Sequence, residues 1–194
     1  AGLLKDMSVG KLKTLLAPLG ASGAVMLAHV VGVTPEAPTL EAALLGRNPE
    51  ERIKVGKREL GEVYQMLTIA TEDKADAALF GCPHAPLDEI VEIAKLLNGK
   101  KIRDDAFLLI GTAEPIKVLA RQMGLTDIVE KSGGLIVNDI CPHGFMSPLF
   151  SAEIGLKQSI SIVATDCTKL AHYGGAQGLK IKYGTVTDCI NAVV

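Results

Sequence analysis

The stretch AALFGCPHAPLDEIVEIAKLLNG (residues 77–99) decides the class of fold. Ala77 to Phe80 is a short apolar run stopped by Gly81-Cys82-Pro83-His84, which predicts a buried strand. A helix follows. Pro86 suits its first turn, Asp88 and Glu89 complement its dipole, and Gly99 closes it. Leu87, Ile90, Ile93 and Leu97 recur at helical spacing and predict the inward face. Ala106 to Ile110 then repeats the apolar run, ended by Gly111-Thr112, with a helix predicted from about Ala113 to Met123. Strand, helix and strand joined by short connections imply a βαβ unit and a parallel sheet.

The same alternation continues toward the carboxyl terminus. Thr126 is read as the cap of a shorter helix ending at Gly133-Gly134. Leu135–Asn138 reads as a strand, and so does Ser159–Ala164. Lys180–Tyr183 and a helix from about Thr187 complete the series. Toward the amino terminus, Ser8 is read as an N-cap, and Leu12, Leu15, Leu16 and Leu19 form the apolar stripe of a helix stopped by Gly20. Ala24–Val31 is read as a buried strand ending near His29. An extended loop follows over residues 32–38, then a short helix from Thr39 closed by Gly46. Arg52–Val55 is read as a brief strand, and a helix over about 57–71 carries Leu60, Val63, Tyr64 and Leu67 on one face. The expected architecture is a three-layer αβα fold with a mostly parallel, Rossmann-like sheet. It is read as one α/β domain fragment over residues 1–194, with a sub-boundary near 50–56 and residues 57–148 as a regular βαβ unit. Residues 1–7 enter a helix without an initiator Met, which reads as a piece of a longer polypeptide.

Composition supports this class and excludes others. The chain is 48% hydrophobic but only 4% aromatic, with no Trp, so Ala, Val, Ile and Leu must build its core. That suits a buried parallel sheet. Lys and Arg total 20 against 22 Asp and Glu, and no basic block exceeds three residues, which argues against a nucleic-acid or anionic-membrane surface. No apolar run reaches the ~20 residues of a membrane span. The four Cys are spaced 59, 26 and 22 residues apart, which is no disulfide framework, so reduced thiols in the cytoplasm are expected.

The residues that carry chemistry fall after the predicted strands, where open α/β sheets bind ligands. Cys82 and His84 follow one strand, Thr112 a second, Cys141 and His143 a third, and Asp166, Cys167, Thr168 and Lys169 a fourth. Cys-Pro-His occurs twice, at 82–84 and 141–143. A proline after a ligand Cys stiffens the loop and removes an N–H that would compete for the thiolate. Read from the residues alone, a single Cys, Cys167 included, is more readily a small core residue than a ligand, whereas the repeated triplet fits either reading equally. Cys189, beside Ile190 and Val193, reads as core. Lys169 and His172 lie three apart on the helix that starts at this edge, where they fit either a solvated face or a site. No P-loop, G-x-G-x-x-G or G-x-S-x-G pattern is present.

Four blocks, taken together, resemble the aconitase X family. They are Val33-Thr34-Pro35-Glu36-Ala37-Pro38 after His29, Gly81-Cys82-Pro83-His84, Asp139-x-Cys141-Pro142, and Thr168-Lys169-x-Ala171-His172-Tyr173. The resemblance implies a hydro-lyase whose large part holds an iron–sulfur cluster or a mononuclear iron through three Cys. Cys82 and Cys141 match two of those ligands, and the third lies outside this chain. It also implies a small swivelling subunit or domain as partner, and a small hydroxy acid such as cis-3-hydroxy-L-proline or 5-phosphomevalonate as substrate. Lys169, His172 and His84 are the catalytic candidates, and His29, Thr34 and Thr168 the candidates for substrate binding. The chain departs from the family pattern at His143-Gly144-Phe145-Met146 and at Asp166-Cys167, which puts substrate choice in question. Two other readings stand beside this one: an enzyme with a cysteine nucleophile, and a non-catalytic α/β domain that docks a partner subunit.

Overall fold

The computed structural model describes residues 7–146 and 160–194. Ser159, where the fourth strand is expected to begin, lies outside them. The chain divides into two units, Ala1–Glu62 and Val63–Val194.

The first unit holds α1 (Val9–Gly23), α2 (Leu40–Leu44) and the start of α3 (Lys57–Leu67). Ser8 caps α1 as expected, its hydroxyl accepting from the Lys11 N–H at 3.2 Å. Thr39 caps α2 in the same way. The helix passes Gly20 and closes three residues later, where Ala24 turns left-handed at φ 51°. The strand expected over Ala24–Val31 does not form. Met26 and Leu27 are 95% and 76% exposed, and no neighbouring strand pairs with them among the described residues. Apolar composition alone cannot make a strand without a partner for its backbone groups. Arg52–Val55 is likewise no strand, and all four residues are exposed.

The second unit is a parallel sheet with helices on both faces. Its strands are β1 (Ala77–Phe80), β2 (Phe107–Thr112), β3 (Leu135–Asn138), β4 (Ile162–Thr165) and β5 (Lys180–Tyr183). They lie in the order β3-β2-β1-β4-β5, all parallel, so β1 is central, with Ala77 opposite Phe107 on one side and Val163 on the other. The intervening helices are α4 (Leu87–Leu97), α5 (Glu114–Gln122), α6 (Leu125–Lys131), α7 (Thr168–Ala176) and α8 (Val186–Asn191).

Alternate strand residues supply two cores, as a two-sided sheet requires. Ala78, Phe80, Leu108, Ile110 and Ile136 pack with Ile90, Ile93 and Leu97 of α4, Val129 of α6 and Ile190 of α8. Ala77, Leu79, Leu109, Val163 and Ile181 pack with Leu170 and Ala171 of α7 and with Leu67. Cys189 belongs to the first core, as expected.

Two boundaries differ from the sequence reading for local reasons. The third helix stops at Leu67, not near residue 71, because the N–H groups of Ile69 and Ala70 donate to Ile181 O at 2.8 and 2.9 Å. Of its expected inward face, Leu67 is buried while Leu60, Val63 and Tyr64 are exposed. Gly124, left-handed at φ 72°, begins α6, so Thr126 is a buried interior residue and no cap.

Candidate active site

The sheet order reverses direction between β1 and β4, and in such folds ligands bind outside the carboxyl ends of the strands at that reversal. The loop after β1 carries Cys82 and the loop after β4 carries Cys167. The Cys82 N–H donates to Cys167 Sγ at 3.4 Å, and the Cys167 thiol donates to Asp166 Oδ1 at 3.4 Å. Below them, the Thr165 hydroxyl donates to Leu79 O at 2.7 Å and accepts from the Cys167 N–H at 3.1 Å. These bonds fix the two loops to one another across the reversal point.

The loop after β3 is brought in by close packing of backbone. Gly81 stands at φ +96°, and a Cβ there would lie 2.0 Å from Gly111 O. A Cβ on Gly111 would in turn lie 2.5 Å from Pro142 Cγ. Three consecutive strand ends are therefore stacked through two residues that must lack side chains. His84 adds a bridge from the first triplet to the second loop, its Nε2–H donating to Ile140 O at 3.2 Å. The Cys82–Pro83 peptide bond is cis.

These contacts bring Cys82 and Cys141 close enough for the one thiol to act electrostatically on the other, although 59 residues separate them. Cys82 is buried and Cys141 exposed. Burial foremost, then the Cys141 thiol, pushes the Cys82 thiol up, against a downward pull from the Lys169 ammonium. Cys167 is pushed further up, first by burial and then by Asp166 and Glu89. The Asp166 carboxyl itself is raised by burial, opposed by the Cys167 thiol that donates to it.

Of the remaining candidates, Lys169 stands in the first turn of α7 within electrostatic reach of both Cys82 and His143. His172 is exposed, its ring at 5.4 Å from that of Tyr173. The Thr168 hydroxyl is paired with Tyr183 OH at 2.8 Å. His29 and Thr34 belong to the first unit, where His29 is exposed and the Thr34 hydroxyl donates to Val30 O at 3.2 Å. His143 is half-buried, with Nε2 at 2.9 Å from Gln177 Nε2; burial, then Lys169, holds its imidazole below the ordinary histidine range.

Glu89 and Gln177 were not expected at this edge, whereas Asp166 was placed there without a role. Asp166 had a signal, since it directly follows an apolar run. Gln177 had none, because it reaches His143 from the far end of α7.

Among the described residues no three His, Cys, Asp or Glu side chains form a group able to hold a metal ion. The arrangement offers two sulfur donors with a lysine ammonium nearby. Soft thiolates paired with a compensating cation suit an iron–sulfur group, and the donor set fits one for which this unit supplies two ligands.

The model of the aconitase X third domain matches residues 75–194, and that of the second domain residues 2–65. A cis-3-hydroxy-L-proline dehydratase of Pseudomonas aeruginosa is 30% identical over 94% of this chain and 31% of its own length. The large subunit of a Methanocaldococcus jannaschii phosphomevalonate dehydratase is 37% identical over 84% of this chain and 37% of its own. The crystal structure of Thermococcus kodakaraensis aconitase X in its holo-form superimposes with a TM-score of 0.77 at 31% identity, covering 96% of this chain and 45% of that one. The chain thus spans less than half the length of these relatives.

Proposed function

The chain belongs to the aconitase X family, and from that premise we propose that it is part of a hydro-lyase in which Cys82 and Cys141 hold an iron–sulfur cluster or a single iron. The nearness of these two thiols carries the reading: the stacking of Gly81 on Gly111 and of Gly111 on Pro142, with the His84–Ile140 bond, draws their loops together at the sheet's edge. The third ligand is assigned to the remainder of the enzyme. The substrate is a small hydroxy acid of the kind named for the relatives, cis-3-hydroxy-L-proline or phosphomevalonate, and the partner a small subunit or domain.

An iron group held by Cys82 and Cys141 would supply Lewis-acid polarisation of a C–OH bond. The chain's own groups bind and orient. Lys169, at the amino end of α7, adds its ammonium to the partial positive charge of the helix terminus and so attracts a carboxylate or phosphate to the cysteine pair. His172, one turn on, offers a second polar group on the exposed face of the same helix. His84 acts through position: it ties the Cys82 loop to Ile140 and so sets the spacing of the two thiols. The base that removes the carbon-bound proton is assigned to the small domain.

The test is Cys82→Ser and Cys141→Ser in the full-length enzyme, reconstituted without oxygen, with iron and sulfide analysis beside dehydratase assays on both substrates. Full iron content and activity in either variant would sink the ligand assignment. The alternative reading is a cysteine nucleophile, with Cys82 or Cys141 activated by a nearby His. That reading would still require the metal-free protein to be active and to be inactivated by iodoacetamide.

A further inference from the structure

His143 carries a hydrogen-bond donor that nothing described so far uses. The amide nitrogen of Gln177 lies 2.9 Å from His143 Nε2. An amide nitrogen only donates, so the ring Nε2 accepts and the imidazole proton is on Nδ1. That Nδ1 atom is buried and makes no hydrogen bond among the described residues. Buried polar groups are nearly always paired, and an unpaired one in a site marks a place for a partner. The ring is also held in its plane, because Tyr173 stands edge-on to it at 5.5 Å.

The surroundings define what kind of partner fits. Lys169, in the first turn of α7, acts electrostatically on both His143 and Cys82, so its ammonium lies in the neighbourhood of each. A fixed N–H donor beside an ammonium selects an anionic oxygen over a cation or a hydrocarbon. We propose that His143 Nδ1–H and the Lys169 ammonium form an oxyanion subsite beside the cysteine pair, which takes one carboxylate or phosphate oxygen of the substrate. The assignment of that anion to a substrate rests on the hydro-lyase reading; the anion site itself does not. His143 is then a specificity-determining residue, since the oxygen it receives fixes which end of a hydroxy acid faces the α7 side of the site.

The test is calorimetric titration of the complete enzyme, with its small subunit or domain, using inorganic phosphate and L-proline as separate probes. His143→Phe keeps a ring against Tyr173 and removes the donor, whereas His143→Asn puts an amide N–H where Nδ1 stood. Loss of one charge-assisted bond predicts affinity about tenfold or more weaker in His143→Phe, and within about threefold of wild type in His143→Asn. A loss confined to phosphate identifies a phosphate oxygen, and one confined to L-proline a carboxylate. If the phenylalanine variant does not fold, His143→Gln, whose amide reaches the Nε2 position instead, shows the same loss. Equal affinities in all variants, or no binding of either probe to wild type, would overturn the proposal. Iron and sulfide measured on the same samples read the hydro-lyase proposal separately, because its failure leaves the titration to decide the anion site.

Discussion

The two Cys-Pro-His triplets have one composition and two structural roles. At 82–84 the Cys is buried at the end of the central strand, its N–H held by Cys167, and the His faces sideways to tie down the neighbouring loop. At 141–143 the Cys is exposed, the Pro is buried against Gly111, and the His looks toward α7 and Gln177. The first triplet is thus built into the sheet and the second is laid on top of it. A central strand fixes its loop from both sides, whereas β3 at the sheet's edge has one neighbour and leaves its loop freer.

The contrast is sharpest for the ligands. Cys82→Ser and Cys141→Ser are both expected to lower iron content and activity of the full enzyme to background. Only Cys82→Ser should also cost about 1–3 kcal/mol in stability, for a hydroxyl buried where a thiol sat. Denaturant unfolding of the metal-free protein separates them, and equal losses would break the distinction between a built-in and a laid-on loop.

The next largest effect is expected from the backbone under each triplet. Gly81→Ala forces a Cβ onto Gly111 O at a positive φ and is expected to cost about 2–4 kcal/mol. Gly144→Ala, with nothing within 4 Å of its added Cβ among the described residues, should stay within about 0.5 kcal/mol. Thermal unfolding of the two variants side by side gives the comparison.

A smaller effect should distinguish the two histidines. His84→Phe removes the bond to Ile140 O, worth about 1 kcal/mol, and loosens the spacing of the thiols. Iron affinity is then expected to fall by about tenfold, the lower range for outer-shell partners of a metal site. His143→Phe should leave iron content unchanged. Iron retention against a competing chelator reads both variants, and the same loss in each would erase the division of roles.

The smallest effect lies outside both triplets and serves as their baseline. Thr185 and Asp188 cap α8 reciprocally, with the Thr185 hydroxyl and then its N–H holding the Asp188 carboxyl below the ordinary carboxylate range. A depressed folded pKa gives stability that is complete above the unfolded value of about 3.9 and is lost as pH falls through the folded one. Asp188→Asn should cost about 1 kcal/mol near neutral pH, with iron content untouched, and the difference from wild type should vanish in acid. A difference that persists at low pH would mean that the cap is not the source.

Five strands, their parallel pairing class and the chemistry-bearing loops were legible from sequence, because a short apolar run stopped by glycine and followed by helical spacing has few other readings. β1, β3 and β5 fall on the expected residues. Two of the misreadings share one cause. Ala24–Val31 has strand composition, and the third helix has continuing helical pattern, but pairing partners elsewhere decide both outcomes. The first finds none among the described residues, and the second is cut short by Ile181 O.

By itself the sequence determined which residues stand at the carboxyl ends of strands, since alternation and breakers are local properties. It also carried the repeated Cys-Pro-His and the blocks that resemble aconitase X. It could not determine that the two triplets meet, nor which of their members is buried. Those follow from strand order, which sets β2 between β1 and β3, and from the stacking of Gly81 on Gly111 and of Gly111 on Pro142. Nearness across 59 residues is a property of the sheet's order, and no local spacing encodes it.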